Sequence, residues 1–302
     1  MGTPSEVAIL IDPLDHPMAS TIALSVIDDF DLSHNAGSPE WIRSVSNSQN
    51  LLKFTDSTEI HLMNDFRSEV AGGRPRPLLV LDLDHTLLDF SSKAISESSG
   101  QTPANSEAAE KLKRPYMDIF LTNAYENYDL AIWSQTSWRW LEIKLIELNM
   151  IHNPGYKIAF VMDKTSMFRV ISDKDAGKGG KHVDDDSYEH SVKPLQIIWS
   201  KFPTRFGRKN TIAVDDLKRN FALNPTNGIT CSAFYRNKSS ARKGTGKNDV
   251  ELLGIGAYLQ KLKDVDDFSE VDHEPWRGVV EGKFGVGVKY FEEEKGGGGK
   301  KG

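Results

Sequence analysis

The chain of 302 residues is 38% hydrophobic and carries a net charge of −6. That length and apolar content can bury one full core, and the acidic balance argues against nucleic acid as the main ligand, because phosphate-backbone binding needs a basic face. Its single cysteine, Cys231, excludes an intrachain disulfide and agrees with a reducing compartment, and no run approaches the roughly 18 apolar residues of a membrane span. Composition divides the chain into an N-terminal extension over 1–73 with little to bury, a folded domain over 74–280 and a low-complexity tail over 281–302.

In chain order, Val7-Ala8-Ile9-Leu10-Ile11-Asp12 is an apolar run interrupted by Pro13, and Ile27 to Leu32 is an acidic stretch that dissolves into Ser, Asn and Gly, as a solvated linker does. Leu51 to Phe54 suits a short strand or helix laid against the core, and Gly72 to Pro77 marks a sharp boundary. Pro77 to Leu81 then predicts a buried strand that ends at Asp82 and Asp84. Side chains alternate along a strand, so these two carboxylates share one side and repel unless a cation sits between them; a hard divalent ion such as Mg2+ fits.

Ser91 to Glu110 reads as a surface loop, and Arg114-Pro115 opens a helix whose apolar face is Tyr116, Ile119, Phe120 and Ala124. Tyr128 to Trp133 is a second buried strand, ending at Ser134. A helix from Trp138 to Leu148 follows, with Trp138, Leu141, Leu145 and Leu148 as a core stripe. Gly155 to Met162 is a further strand. The polar stretch Ser172 to His190 reads as an excursion whose His182 and His190 are solvated rather than metal-bound. Lys193 precedes Pro194 and the apolar run Leu195 to Trp199. Asn210 to Val214 is again an apolar strand closing on two acids, Asp215 and Asp216. A last strand at Ile229 to Cys231 and a helix over Asp249 to Lys263 complete the pattern.

The sequence Asp82-Leu83-Asp84-His85-Thr86 after a hydrophobic strand resembles the first motif of the haloacid dehalogenase superfamily, and Ser134, Lys193 and the pair Asp215-Asp216 fall where its remaining motifs fall. Arg114-Pro115-Tyr116, Ile132-Trp133-Ser134, Val192-Lys193-Pro194-Leu195, Arg219-Asn220-Phe221 and Asp266-Asp267-Phe268 narrow the resemblance to the carboxy-terminal-domain phosphatases of Fcp/Scp type. Within that branch the chain is most similar to members with a ubiquitin-like domain, a domain not expected in this chain. Cys231 and Arg236 enclose four residues, one short of the loop that cysteine-dependent phosphatases use, which sets that chemistry aside.

The resemblance implies an α/β fold: an open, mainly parallel sheet with helices on both faces. No large cap is expected, since neither Asp89 to Ser134 nor Ser134 to Lys193 leaves room for one. It implies a Mg2+-dependent serine/threonine phosphatase acting through an aspartyl-phosphate. Asp82 would be the nucleophile and Asp84 the general acid and base. Thr86, Ser134 and Lys193 would serve the phosphate, and His85 has no assigned chemistry. Asp82, Asp84 through its backbone carbonyl, and Asp216 would hold the metal, with Asp215 behind them. The implied substrate is a phosphoprotein, RNA polymerase II C-terminal domain or a nuclear proteasome subunit, met by a nuclear monomer that touches neither nucleic acid nor membrane. A small-metabolite phosphatase of the same fold and a non-catalytic phosphoprotein scaffold remain the alternatives.

Overall fold

A computed structural model describes residues 42–44, 48–67, 75–90, 107–173, 181–184, 187–236 and 249–281. The readings of 1–41, of 91–106 in the Ser-rich stretch and of the tail from 282 lie outside the described residues. In chain order the first half holds β1 (Ile42–Ser44), α1 (Ser48–Ser57), β2 (His61–Leu62), β3 (Leu78–Leu81), α2 (Glu107–Leu112), α3 (Met117–Tyr125), β4 (Asp129–Trp133) and α4 (Trp138–Glu147). The second half holds β5 (Ile158–Met162), β6 (Phe168–Asp173), β7 (Lys181–Asp184), β8 (Ser187–Val192), α5 (Gln196–Lys201), β9 (Thr211–Asp215), β10 (Gly228–Thr230), α6 (Glu251–Leu262) and α7 (Trp276–Glu281).

Every residue of β3, β4, β5 and β9 is buried. Strands that are apolar without alternation need cover on both faces, and a parallel sheet between helix layers supplies it. The main sheet has the order β10-β9-β3-β4-β5-β2, all parallel except β2 at one edge. On one face Leu79, Leu81, Leu130, Ile132 and Val214 join a core with Phe120, Leu141, Leu145, Ile255 and Leu259 of α3, α4 and α6. On the other, Leu78, Val80, Ala131 and Trp133 join Ile197, Ile198 and Trp199 of α5. Part of the chain before residue 74 shares this packing: Leu51 is buried with Phe168, Val170 and Val192, and Phe66 sits edge-on to Phe160, Phe202 and Phe206.

Where it is described, the stretch read as a polar excursion is instead strand. β6, β7 and β8, with β1, form a second, antiparallel sheet in the order β1-β6-β8-β7. An antiparallel sheet needs only one apolar face. Here Phe168, Val170 and Val192 supply it, while Arg169 and Glu189 pair across the wet face at 3.2 Å. Polar composition was therefore the signature of a half-exposed sheet. The helix expected from Arg114 also begins later, at Met117, after a left-handed Tyr116 (φ 67°). The shift rotates its face, so Met117, Phe120, Leu121 and Ala124 are buried and Ile119 is exposed.

Arg114 itself turns inward. Its guanidinium lies 2.8 Å from Asp249 and 3.1 Å from Glu251 at the start of α6, and donates to the Thr86 carbonyl at 3.0 Å. Removing one member of a buried ion network strands the others, so Arg114→Leu should cost about 3–5 kcal/mol in a urea unfolding curve. A second buried group gives a pH dependence. The His273 ring accepts from the Tyr258 hydroxyl at 2.8 Å and donates to the Phe268 carbonyl at 2.9 Å, which suits the neutral form, and burial lowers its pKa from 6.5. The unfolded chain then takes the proton more readily, so this stability is complete above pH 6.5 and is lost as pH falls through the lower folded value. Denaturation midpoints should fall on acidification more steeply in the wild type than in His273→Gln.

Candidate active site

Strand register does most of the assembly. Leu81 of β3 lies opposite Val214 of β9, and the Asp82 amide donates to the Val214 carbonyl at 2.9 Å, so the next residues, Asp82 and Asp215, emerge side by side. On the other side Leu81 lies opposite Ile132 of β4, whose chain reaches Ser134 two residues later. The chain leaves β3 toward β4 and returns by β9. At such a reversal of strand order the carboxyl ends of the strands open a crevice.

Lys193 enters this crevice from the second sheet, as the first residue after β8. Its Nζ is 2.5 Å from Asp82 Oδ1 and 2.7 Å from Asp215 Oδ2, and all three side chains are buried. Asp82, Asp215 and Asp216 each offer an oxygen within 4.8 Å of the others. Burial pushes the Asp82 pKa upward; the Lys193 ammonium opposes that shift and Asp215 adds to it. Burial and the Asp215 charge raise Asp216 to about 6, and against its own burial Lys193 is raised to about 12 by Asp215 and Asp82. Burial and crowding act together here: three buried or half-buried carboxylates lie within 4.8 Å of one another, and one ammonium offsets only part of their charge. A pocket of hard oxygen donors short of positive charge suits a divalent cation.

The acids differ in their commitments. Asp215 accepts from Lys193, from Asn220 Nδ2 at 2.8 Å and from the Leu217 amide at 2.8 Å. Among the described residues no neighbouring side chain donates to the Asp216 carboxylate. Thr86, fully buried, donates to Asp82 Oδ2 at 2.9 Å and accepts from the Asp216 amide at 3.2 Å, which ties two residues of the acidic cluster to one hydroxyl.

Asp84 is turned elsewhere by the bend that follows it. His85 is left-handed (φ 65°), its amide donates to Leu88 at 2.7 Å, and its carbonyl accepts from Phe234 at 2.7 Å. A positive φ at a residue with a side chain is costly, and such residues cluster at working sites. The Asp84 carboxylate accepts from Thr136 Oγ1 at 2.9 Å, more weakly from Ser134 Oγ at 3.4 Å, and lies 2.5 Å from Lys144 Nζ. All seven residues singled out in the sequence thus line one end of the main sheet. Two neighbours were missed, Lys144 and Thr136, and Asn220, quoted in the motif Arg219-Asn220-Phe221, had no role assigned to it. Lys144 did leave a signal, because it falls on the stripe of Leu141, Leu145 and Leu148, where a lysine is out of place.

Residues 77–269 match the family described as NLI interacting factor-like phosphatase. Ubiquitin-like domain-containing CTD phosphatase 1 of Danio rerio is 35% identical over 252 residues, which cover 83% of this chain and 67% of that protein. Its Homo sapiens counterpart is 34% identical over 260 residues, covering 86% and 70%. A solved structure of the fission yeast RNA polymerase II CTD phosphatase Fcp1 aligns over 73% of this chain and 65% of that one at 15% identity, with a TM-score of 0.34. The chain belongs to the NLI interacting factor-like phosphatase family. It is a protein phosphatase.

The Thr86 contacts make a direct prediction. Thr86→Val keeps the shape but leaves the Asp216 amide without its acceptor and Asp82 Oδ2 without the Thr86 donor, so it should lower unfolding stability by about 1–3 kcal/mol, measured by chemical denaturation.

Proposed function

We propose that this protein is a Mg2+-dependent phosphoserine/phosphothreonine phosphatase that works through an aspartyl-phosphate on Asp82. The observation that carries the reading is the trio of carboxylates within 4.8 Å, two of them bridged by Lys193, at the carboxyl end of the central strands. When bound, Mg2+ supplies positive charge to the phosphoryl oxygens; Asp82, Asp216 and the Asp84 carbonyl would hold it, with Asp215 fixed behind them by Lys193 and Asn220.

In the first half-reaction an Asp82 oxygen attacks phosphorus, the bond to the serine or threonine oxygen breaks, and Asp84 gives that oxygen its proton. Lys193 and Ser134 stabilise the charge spread over the phosphoryl oxygens. In the second, Asp84 takes a proton from water as the water oxygen attacks phosphorus, and the bond to Asp82 breaks to release phosphate. Thr86 keeps the Asp82 carboxylate oriented throughout. The catalytic domain read over 74–280 is completed by β2 and by Leu51 and Phe66 from the preceding stretch, and the short spacing between its motifs leaves the crevice open enough for a protein segment. Relatives named CTD phosphatases make the RNA polymerase II C-terminal domain the first substrate to try; a nuclear proteasome subunit, implied by the sequence resemblance, is the second. With either substrate the enzyme would work in the nucleus, and we read it as a monomer.

The test is phosphate release from a phosphoserine peptide. Wild-type turnover should vanish with chelator and return with Mg2+, and Asp82→Asn should be inactive. In single turnover, Asp84→Asn should release the serine leaving group on the order of 10²–10⁴-fold more slowly, with a much smaller effect on an aryl phosphate, which needs little protonation to leave. Turnover that survives either the chelator or Asp82→Asn would overturn the mechanism, and turnover confined to sugar phosphates would overturn the substrate class.

A further inference from the structure

We infer that Lys144 is a positioning residue for Asp84, fixing where its carboxyl group points relative to the leaving oxygen; the inference rests on the assignment of Asp84 as general acid. Lys144 belongs to α4, on the face it shares with Leu141 and Leu145, and is 8% exposed. Placing an ammonium there costs several kcal/mol in desolvation, where a leucine would cost nothing. Its partners show what offsets that cost. Nζ lies 2.5 Å from Asp84 Oδ1 and 3.2 Å from Thr136 Oγ1, and the Phe90 ring centroid is 5.1 Å away.

An ammonium has three N–H groups. Two are taken by Asp84 and Thr136, and the Phe90 ring lies beside the ammonium, so its contacts commit Lys144 to the Asp84 side of the crevice. The geometry therefore separates Lys144 from Lys193, whose two contacts are both with acids of the metal-facing cluster.

The grip has two sides. Lys144 holds Oδ1 of Asp84, while Thr136 and Ser134 hold Oδ2. Thr136 in turn accepts from Lys144, so the ammonium orients the hydroxyl that orients the acid. Without these contacts the Asp84 side chain, 31% exposed beside a left-handed turn, would be free to rotate and to hydrate. A misplacement of about 1 Å at a reacting group can cost on the order of 100-fold in rate. The loss should fall only on steps in which Asp84 moves a proton.

The experiment is a mutant cycle in single turnover, with Lys144→Met, Asp84→Asn and the double variant each assayed on a phosphoserine peptide and on p-nitrophenyl phosphate. Lys144→Met should slow leaving-group release from the peptide by about 10- to 100-fold and from the aryl phosphate far less, and should add nothing in the Asp84→Asn background. Lys144→Gln and Thr136→Val, checked by thermal unfolding, should show the same contrast more weakly and keep the test open where the methionine variant does not fold. Equal losses on both substrates, or a loss that adds to that of Asp84→Asn, would reduce Lys144 to a structural residue and overturn the inference alone. A missing contrast in Asp84→Asn itself would overturn the mechanism, and this inference with it.

Discussion

The in-register pairing of β3 with β9 is the constraint on which the rest depends. Two parallel strands that each end in an acid can be aligned so that the acids diverge or so that they meet, and here Leu81 opposite Val214 makes them meet. The result is unfavourable by itself, since carboxylates crowded at a buried sheet end repel and lose their water. Lys193 offsets part of this and leaves the remainder for a cation. The electrostatic need that defines the site is therefore built into backbone geometry before any side chain is chosen for chemistry.

What was legible in the sequence follows from this. Buried strands with both faces covered are continuous apolar runs, so β3, β4, β5 and β9 could be read directly, and so could the polar residues at which they stop. The half-exposed second sheet could not: Ser187 to Ser191 shows no apolar alternation, and its pairing with β6 is a tertiary fact that no local window contains. Lys144 lies 60 residues from Asp84 and Arg114 lies 135 from Asp249, so their partners could not be named from spacing. In each case the sequence held a misfit, a charge among apolar neighbours, without showing what resolved it.

The two buried basic residues divide the work around the turn that carries Asp84. Arg114 braces it from beneath, through the Thr86 carbonyl and the acids of α6. Lys144 acts from the side of α4 on the carboxylate itself. Together they hold a loop whose backbone takes a costly conformation at His85, so a strained segment is over-determined by contacts with two helices from opposite halves of the chain.

Because Lys193 arrives from the second sheet, the crevice is completed across a long stretch of chain. Asp82 and Lys193 are 111 residues apart, and the ion pair forms only once β8 has docked beside the main sheet. Loop-closure entropy places such a contact among the late events of folding. Until it closes, the acids at the ends of β3 and β9 approach one another without their ammonium. The cluster thus opposes its own assembly during folding, and divalent ions in the surroundings should ease that final step as a counter-charge.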